Sequence, residues 1–203
     1  LRTNALPQLK GNFFSIDLDQ AQTAFQTVPW VRRAVVRRAW PNRLSVQIEE
    51  HQVAALWKSE AGDDRLVNLQ GEVFDANLGE VEDDAFATLQ GPDGFSAPML
   101  SLLGQLNTAL QPLQAQVESL RLSLRGSWRA ELDSGAVIEL GRGNEAEVMA
   151  RAARFARTLP AATAQVNVTP KALRHADLRH SSSYALKLAG ITTAKPASAP
   201  EKK

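Results

Sequence analysis

The side chains of this chain best suited to proton transfer near neutral pH are His51, His175 and His180. Two of them flank Asp177 and precede Ser181-Ser182-Ser183, so a Ser/His/Asp site can be sketched over 175–183. On a single strand, however, positions 175, 177 and 179 share one face and 180 lies on the other. No strand-turn-helix elbow around a serine accompanies the group. Asp83 and Asp84 are neighbours in an acidic loop, a poor arrangement for opposed acid and base roles, and they read as solvated. Gly141-Arg142-Gly143-Asn144 opens a helix after a strand, where phosphate can bind. It lacks the Gly-Lys-Ser/Thr of a P-loop and the third glycine of a dinucleotide fingerprint, so it reads as a turn. The chain has no cysteine, which excludes a disulfide framework and a thiolate metal site. The sequence therefore points to a protein that is not an enzyme and carries no metal or cofactor.

Charge and aromatics are the remaining candidates. Arg32, Arg33, Arg37, Arg38 and Arg43 form a basic run that suits phosphate backbones or acidic lipid. No aromatic ladder is interleaved for base stacking. The net charge is only +1, so the run reads as the solvated face of a sheet, with no nucleic acid partner; a membrane-proximal patch is the alternative if a membrane-spanning helix lies upstream. Trp30, Trp40, Trp57 and Trp128 lie beside or within predicted strands. Trp30 and Trp40 are expected to pack, the latter on the face of Ala34 and Val36. No apolar run approaches the roughly 18 residues that span a bilayer.

The elements that must position these residues follow from periodicity. Asp17 precedes Leu18, Ala21, Phe25 and Val28 at helical spacing, which predicts a capped helix over 18–28. Val31 to Trp40 and Leu44 to Ile48 form two runs around Pro41-Asn42-Arg43, a predicted hairpin. Val53 to Lys58 reads as a further strand, and Arg65 to Phe74 as a hairpin turning at Gly71. Leu89-Gln90-Gly91-Pro92-Asp93-Gly94 reads as a turn. Met99, Leu102, Leu103, Leu106 and Leu110 predict a helix over about 97–111, interrupted by Pro112. Strands are predicted over 118–124, 127–132 and 137–140. A helix capped by Asn144 and stopped at Pro160 should follow, then strands over 174–179 and 184–188. The Ala/Pro/Lys-rich end of the chain reads as disordered.

Val28-Pro29-Trp30-Val31, Arg38-Ala39-Trp40-Pro41 and Glu49-Glu50 resemble the end of a POTRA domain, in the version found in the bacterial FtsQ cell-division family. Gly71-Glu72-Val73-Phe74, Leu89 to Gly94, Ser127-Trp128, Leu140 to Gly143 and Asp177-Leu178-Arg179 resemble further markers of that family. The resemblance spans nearly the whole chain. It implies an α+β fold. A POTRA domain lacking its first strand occupies 1–52. A β-domain, with a curved, mostly antiparallel sheet and two helices, occupies 53–190. A tail occupies 191–203.

The resemblance also implies a role. Members of the family are bitopic inner-membrane scaffolds of the divisome, with these two domains in the periplasm, at the division septum. They bind FtsB, which pairs with FtsL, through the last strands of the β-domain, and FtsK and other partners through the POTRA domain. A cytoplasmic tail and one transmembrane helix are then expected upstream of Leu1. Carried over by position, the FtsB surface comprises Arg125, Arg179, His180, Ser182, Ser183, Tyr184, Leu186 and Leu188. His180, Ser183 and Leu188 depart from the Tyr, Gly and Trp of better-known members. The alternative is a chaperone-like POTRA module of an outer-membrane transport or assembly system, where the module is usually repeated. One copy is present here.

Overall fold

The computed structural model describes residues 15–59, 62–81, 86–180 and 182–191. The chain divides into two compact units, 1–100 and 101–203, with the division falling inside a helix. The expectations for the extreme N-terminus, for Asp83 and Asp84, for Ser181 and for the tail beyond residue 191 lie outside the described residues.

The first unit begins with helix α1 (Leu18–Gln26), whose open N-terminus is capped as expected: the Asp17 carboxylate accepts from the Asp19 and Gln20 amides. Strands β1 (Val31–Ala39) and β2 (Arg43–Glu50) form an antiparallel hairpin. Ala21 and Phe25 of α1 pack on Val31, Ala34 and Val36, with Val46 and Ile48 completing the cluster. Burial against the helix thus selects one face of the pleat.

Trp40 does not join that cluster. It is 81% exposed, which corrects the expectation that it packs. The alternation that turns Ala34 and Val36 to α1 reaches Arg38 next. The Arg38 guanidinium donates to the Ile16 carbonyl at 2.8 Å and closes that face. Ala39 is the last paired residue of β1, so Trp40 falls in the turn. Trp30, by contrast, is half-buried and meets the Phe74 ring edge-on at 5.7 Å.

Among the described residues the first unit holds four more strands: β3 (Val53–Trp57), β4 (Arg65–Asn68), β5 (Val73–Phe74) and β6 (Thr88–Gln90), in the order β6-β3-β4-β5. Strand β6 lies where the sequence reads as a turn. It pairs parallel with β3, with the Leu56 amide on the Ala87 carbonyl and the Lys58 amide on that of Leu89. Three residues are too few to show a period, and only the pairing reveals the strand. At the β4–β5 turn Gly71 has φ +80°, and a Cβ there would lie 2.4 Å from the Ala97 Cβ. Glycine is required for both reasons.

Helix α2 (Ser96–Leu110) carries its expected stripe, with Met99, Leu102, Leu106 and Leu110 all buried. In the second unit, β7 (Val117–Leu122), β8 (Ser127–Leu132) and β9 (Val137–Arg142) form an antiparallel meander. Helix α3 (Glu145–Ala164) then leads to β10 (Leu173–Asp177), which pairs parallel with β9, and β11 (Ala185–Leu188) pairs antiparallel with β10. The order is β11-β10-β9-β8-β7. Asn144 and Glu147 form a reciprocal capping box at the start of α3. Pro160 does not stop α3, contrary to expectation; the helix continues to Ala164. The proline is exposed, while Leu159 and Thr163 on the opposite face are buried. Packing of that last turn outweighs the one backbone bond that the proline removes.

Candidate partner-binding edge

The candidate site is built on the β10–β11 end of the second unit. Val148, Ala152, Phe155 and Leu159 form the buried stripe of α3. Tyr184 meets Phe155 edge-on at 5.5 Å, and its hydroxyl shares a 2.7 Å hydrogen bond with that of Thr158. Arg154, also on α3, donates to the His180 carbonyl at 3.3 Å. These contacts pin the segment entering β11 to the helix. The Tyr184 ring is therefore committed to packing, and its backbone is the part that borders the edge.

Strand β11 is the end member of its ladder, with no strand on its outer side among the described residues. The Ala189 amide donates inward to the Ala172 carbonyl at 2.7 Å. In an antiparallel pair the backbone groups of successive residues point alternately inward and outward. Lys187 and Ala185 therefore face β10 as well, and the amides and carbonyls of Leu186 and Leu188 face the open side. The side chains of Leu186 and Leu188 are half-buried on one face of the strand, while Ala185 and Lys187 are exposed on the other.

Arg179 stands just beyond β10. Its guanidinium clasps Asp177, with Nε 2.9 and 3.0 Å from the two carboxylate oxygens and Nη2 at 2.5 Å, while its own amide adds a bond of 3.1 Å. The clasp holds the Asp177 carboxyl down at about 2, against desolvation that acts the other way. The hydrogen bonds to the Asp177 carboxylate among the described residues all come from Arg179. Among the described residues no group of three or more His, Cys, Asp and Glu side chains is arranged to hold a metal.

Gly141 of β9, at φ +80°, makes room for this segment: a Cβ there would lie 3.1 Å from the Arg179 Cγ and 3.2 Å from its Cα. Register links Gly141 to Trp128 on β8, and Trp128 to Leu122 on β7. Arg125, in the β7–β8 turn, is thus at the same end of the strands as Arg179, roughly 12 Å away across the ladder at the usual strand spacing. Both arginines are exposed, as are His180, Ser182 and Ser183. Leu124, next to Arg125, is 85% exposed. It was not singled out from the sequence, although a large apolar residue at a turn tip is a readable signal.

A second polar cluster lies in the first unit, and no sequence signal marks it. Arg32 of β1 donates to Glu49 of β2 at 2.6 Å and to Glu72, in the β4–β5 turn, at 2.7 and 3.1 Å. Glu72 also accepts from the Asn68 amide group at 2.7 Å, and that group lies 2.8 Å from His51 Nδ1. The His51 ring stacks on Phe74 at 4.0 Å. Hydrogen bonds from Arg32 and then Asn68 hold the Glu72 carboxyl down at about 2. Burial lowers the His51 imidazole below its usual value, chiefly by desolvation.

Two family comparisons agree with this architecture. The family described as POTRA domain, FtsQ-type, matches residues 1–51, and that described as Cell division protein FtsQ/DivIB, C-terminal, matches residues 55–179. The chain belongs to the FtsQ family of cell division proteins. It is 37% identical over 192 residues to Cell division protein FtsQ of Thiomonas arsenitoxydans, covering 94% of this chain and 70% of that one. It is 35% identical over 192 residues to FtsQ of Burkholderia pseudomallei, covering 94% and 74%. FtsQ of Bordetella pertussis is 36% identical over 194 residues, with 89% and 69% covered. The C-terminal FtsQ match ends at Arg179, so β11 and the residues that lead into it lie past that match. No helix among the described residues is long and apolar enough to cross a membrane.

Proposed function

We propose that this chain is a non-enzymatic scaffold of the division machinery that captures FtsB, paired with FtsL, as an added strand on β11. The observation that carries the reading is the open side of β11, where Leu186 and Leu188 offer outward amides and carbonyls. An incoming strand satisfies those groups. Its acidic side chains reach Arg179 and, farther along the same end, Arg125, whose fork-shaped guanidinium groups suit carboxylates. Leu124, His180, Ser182 and Ser183 supply the surrounding contacts. The functional domains are 1–52, the POTRA part that receives FtsK and other division proteins, and 53–190, with 191–203 as a tail. The setting that fits is the periplasmic side of the inner membrane at the septum. Neither nucleic acid nor a cofactor takes part.

The test is a calorimetric titration of the periplasmic part of FtsB into the wild-type chain and into Arg179→Glu at matched salt. The exchange of charge weakens binding by at least roughly 2 kcal/mol, read at a temperature where both proteins are folded, because Asp177 also loses its partner. Equal affinities remove β11 from the interface. Weak binding to many unfolded peptides in place of one partner favours a chaperone-like module instead.

A further inference from the structure

The β1–β2 hairpin has a second face, and it carries three arginines against one carboxylate. Ala34, Val36, Val46 and Ile48 turn to α1. The other face carries the register pairs Arg33–Glu49, Val35–Gln47, Arg37–Ser45 and Ala39–Arg43. Arg33, Arg37 and Arg43 are exposed, and among the described residues none of them forms an ion pair. Glu49, the carboxylate paired on this face, is already held by Arg32 at 2.6 Å. Trp40, in the turn that closes the hairpin just past the last pair of this face, is 81% exposed.

We propose that this face docks on an anionic phospholipid surface, with Arg33, Arg37 and Arg43 at the headgroup phosphates and Trp40 in the interfacial layer. The charge is complementary, and the arginines are spread along a flat ladder rather than converging on one point. A bilayer offers phosphates in no fixed geometry, so a spread array of guanidinium forks finds partners without a built pocket. Tryptophan is enriched at the headgroup level, where its ring is partly apolar and its N–H remains solvated. An acidic protein partner fits less well. The apolar side chains between the arginines are Val35 and Ala39, both half-buried, and these are too little for the apolar centre of a protein interface. The proposal uses no residue of β11, so either reading can fail without the other.

The experiment is co-sedimentation of the full chain with vesicles of phosphatidylcholine alone and of phosphatidylcholine with phosphatidylglycerol at about one lipid in three. Binding is expected to the anionic vesicles only, with a blue shift of tryptophan emission that Trp40→Ser abolishes. Each arginine near such a surface contributes about fivefold, so Arg33→Gln, Arg37→Gln and Arg43→Gln together weaken binding about a hundredfold. A charge-matched control, Arg157→Gln, Lys171→Gln and Arg174→Gln, leaves most of the binding in place. Equal losses in the two triple variants overturn the proposal, because net charge alone then explains attachment. So does binding to neutral and anionic vesicles alike, or binding of polyglutamate with none to vesicles.

Discussion

The Glu72 cluster of the first unit and the Arg179 clasp of the second are both made of arginine and carboxylate, yet they are wired differently. Arg32 and Glu72 are 40 residues apart, and each is tied to a further partner, so the cluster joins the β1–β2 hairpin to the β4–β5 hairpin. Arg179 and Asp177 are two residues apart, and the Arg179 side chain is 63% exposed. A closed network across distant segments is suited to holding a fold. A local pair whose arginine is exposed, at the end of an open ladder, leaves that guanidinium within reach of a carboxylate on an arriving partner.

The largest expected effect tests the closed cluster. Asn68 is fully buried, and its side-chain oxygen accepts from the Gln70 and Glu72 amides at 3.0 and 2.9 Å while its nitrogen meets Glu72 and His51. Asn68→Ala is expected to destabilise the first unit by about 3 kcal/mol, since two backbone amides, Glu72 and His51, all part-buried, lose a partner at once. Chemical denaturation reads the loss, and a change below about 1 kcal/mol makes the cluster ornamental.

Next comes the open edge. If FtsB adds to β11 as proposed, Leu186→Pro, which removes an outward amide, is expected to weaken its binding by about 1–2 kcal/mol with a small effect on folding, whereas Lys187→Pro removes an inward amide and destabilises the β10–β11 pair. Calorimetry and melting curves on the two variants separate the cases. If Leu186→Pro is the one that unfolds, the amide directions assigned here are wrong.

Acid sharpens the contrast. Glu72 is depressed from 4.5 to about 2, so its contribution is complete above 4.5 and is lost as pH falls through about 2. His51 is depressed from 6.5, so stability also declines as pH falls below that value, where the unfolded chain takes up the proton first. Half-exposed Glu72 contributes no more than about 1 kcal/mol after solvent screening. Hydrogen-exchange protection over residues 68–74, corrected for the intrinsic pH dependence of exchange, should fall in both ranges in the wild type, and Glu72→Gln should keep only the upper one. A pH-independent rate of opening contradicts the linkage.

The smallest effect belongs to Trp40. Its exposure holds Trp40→Ala to within about 0.5 kcal/mol of wild type in stability, in place of the several kcal/mol that truncating a buried ring would cost. A large loss by thermal melting would restore it to the core.

The sequence by itself determined the elements that have a period or a cap. The Asp17 and Asn144 caps, the alternation of β2 and the Met99 to Leu110 stripe are local patterns, fixed by hydrogen bonding and burial within a few residues. The motifs also carried the family, because turns such as Gly71 and Gly141 need backbone freedom at fixed positions. The rest was left to the tertiary structure. Strand β6 exists because β3 offers it a partner, and α3 survives Pro160 because its far side is buried. Trp40 is exposed because Arg38 closes the face of α1 before the chain reaches it. The Glu72 cluster and the outward amides of β11 follow the same rule. Each depends on which distant segment lies alongside, and pairing across that separation leaves no local period in the sequence to read.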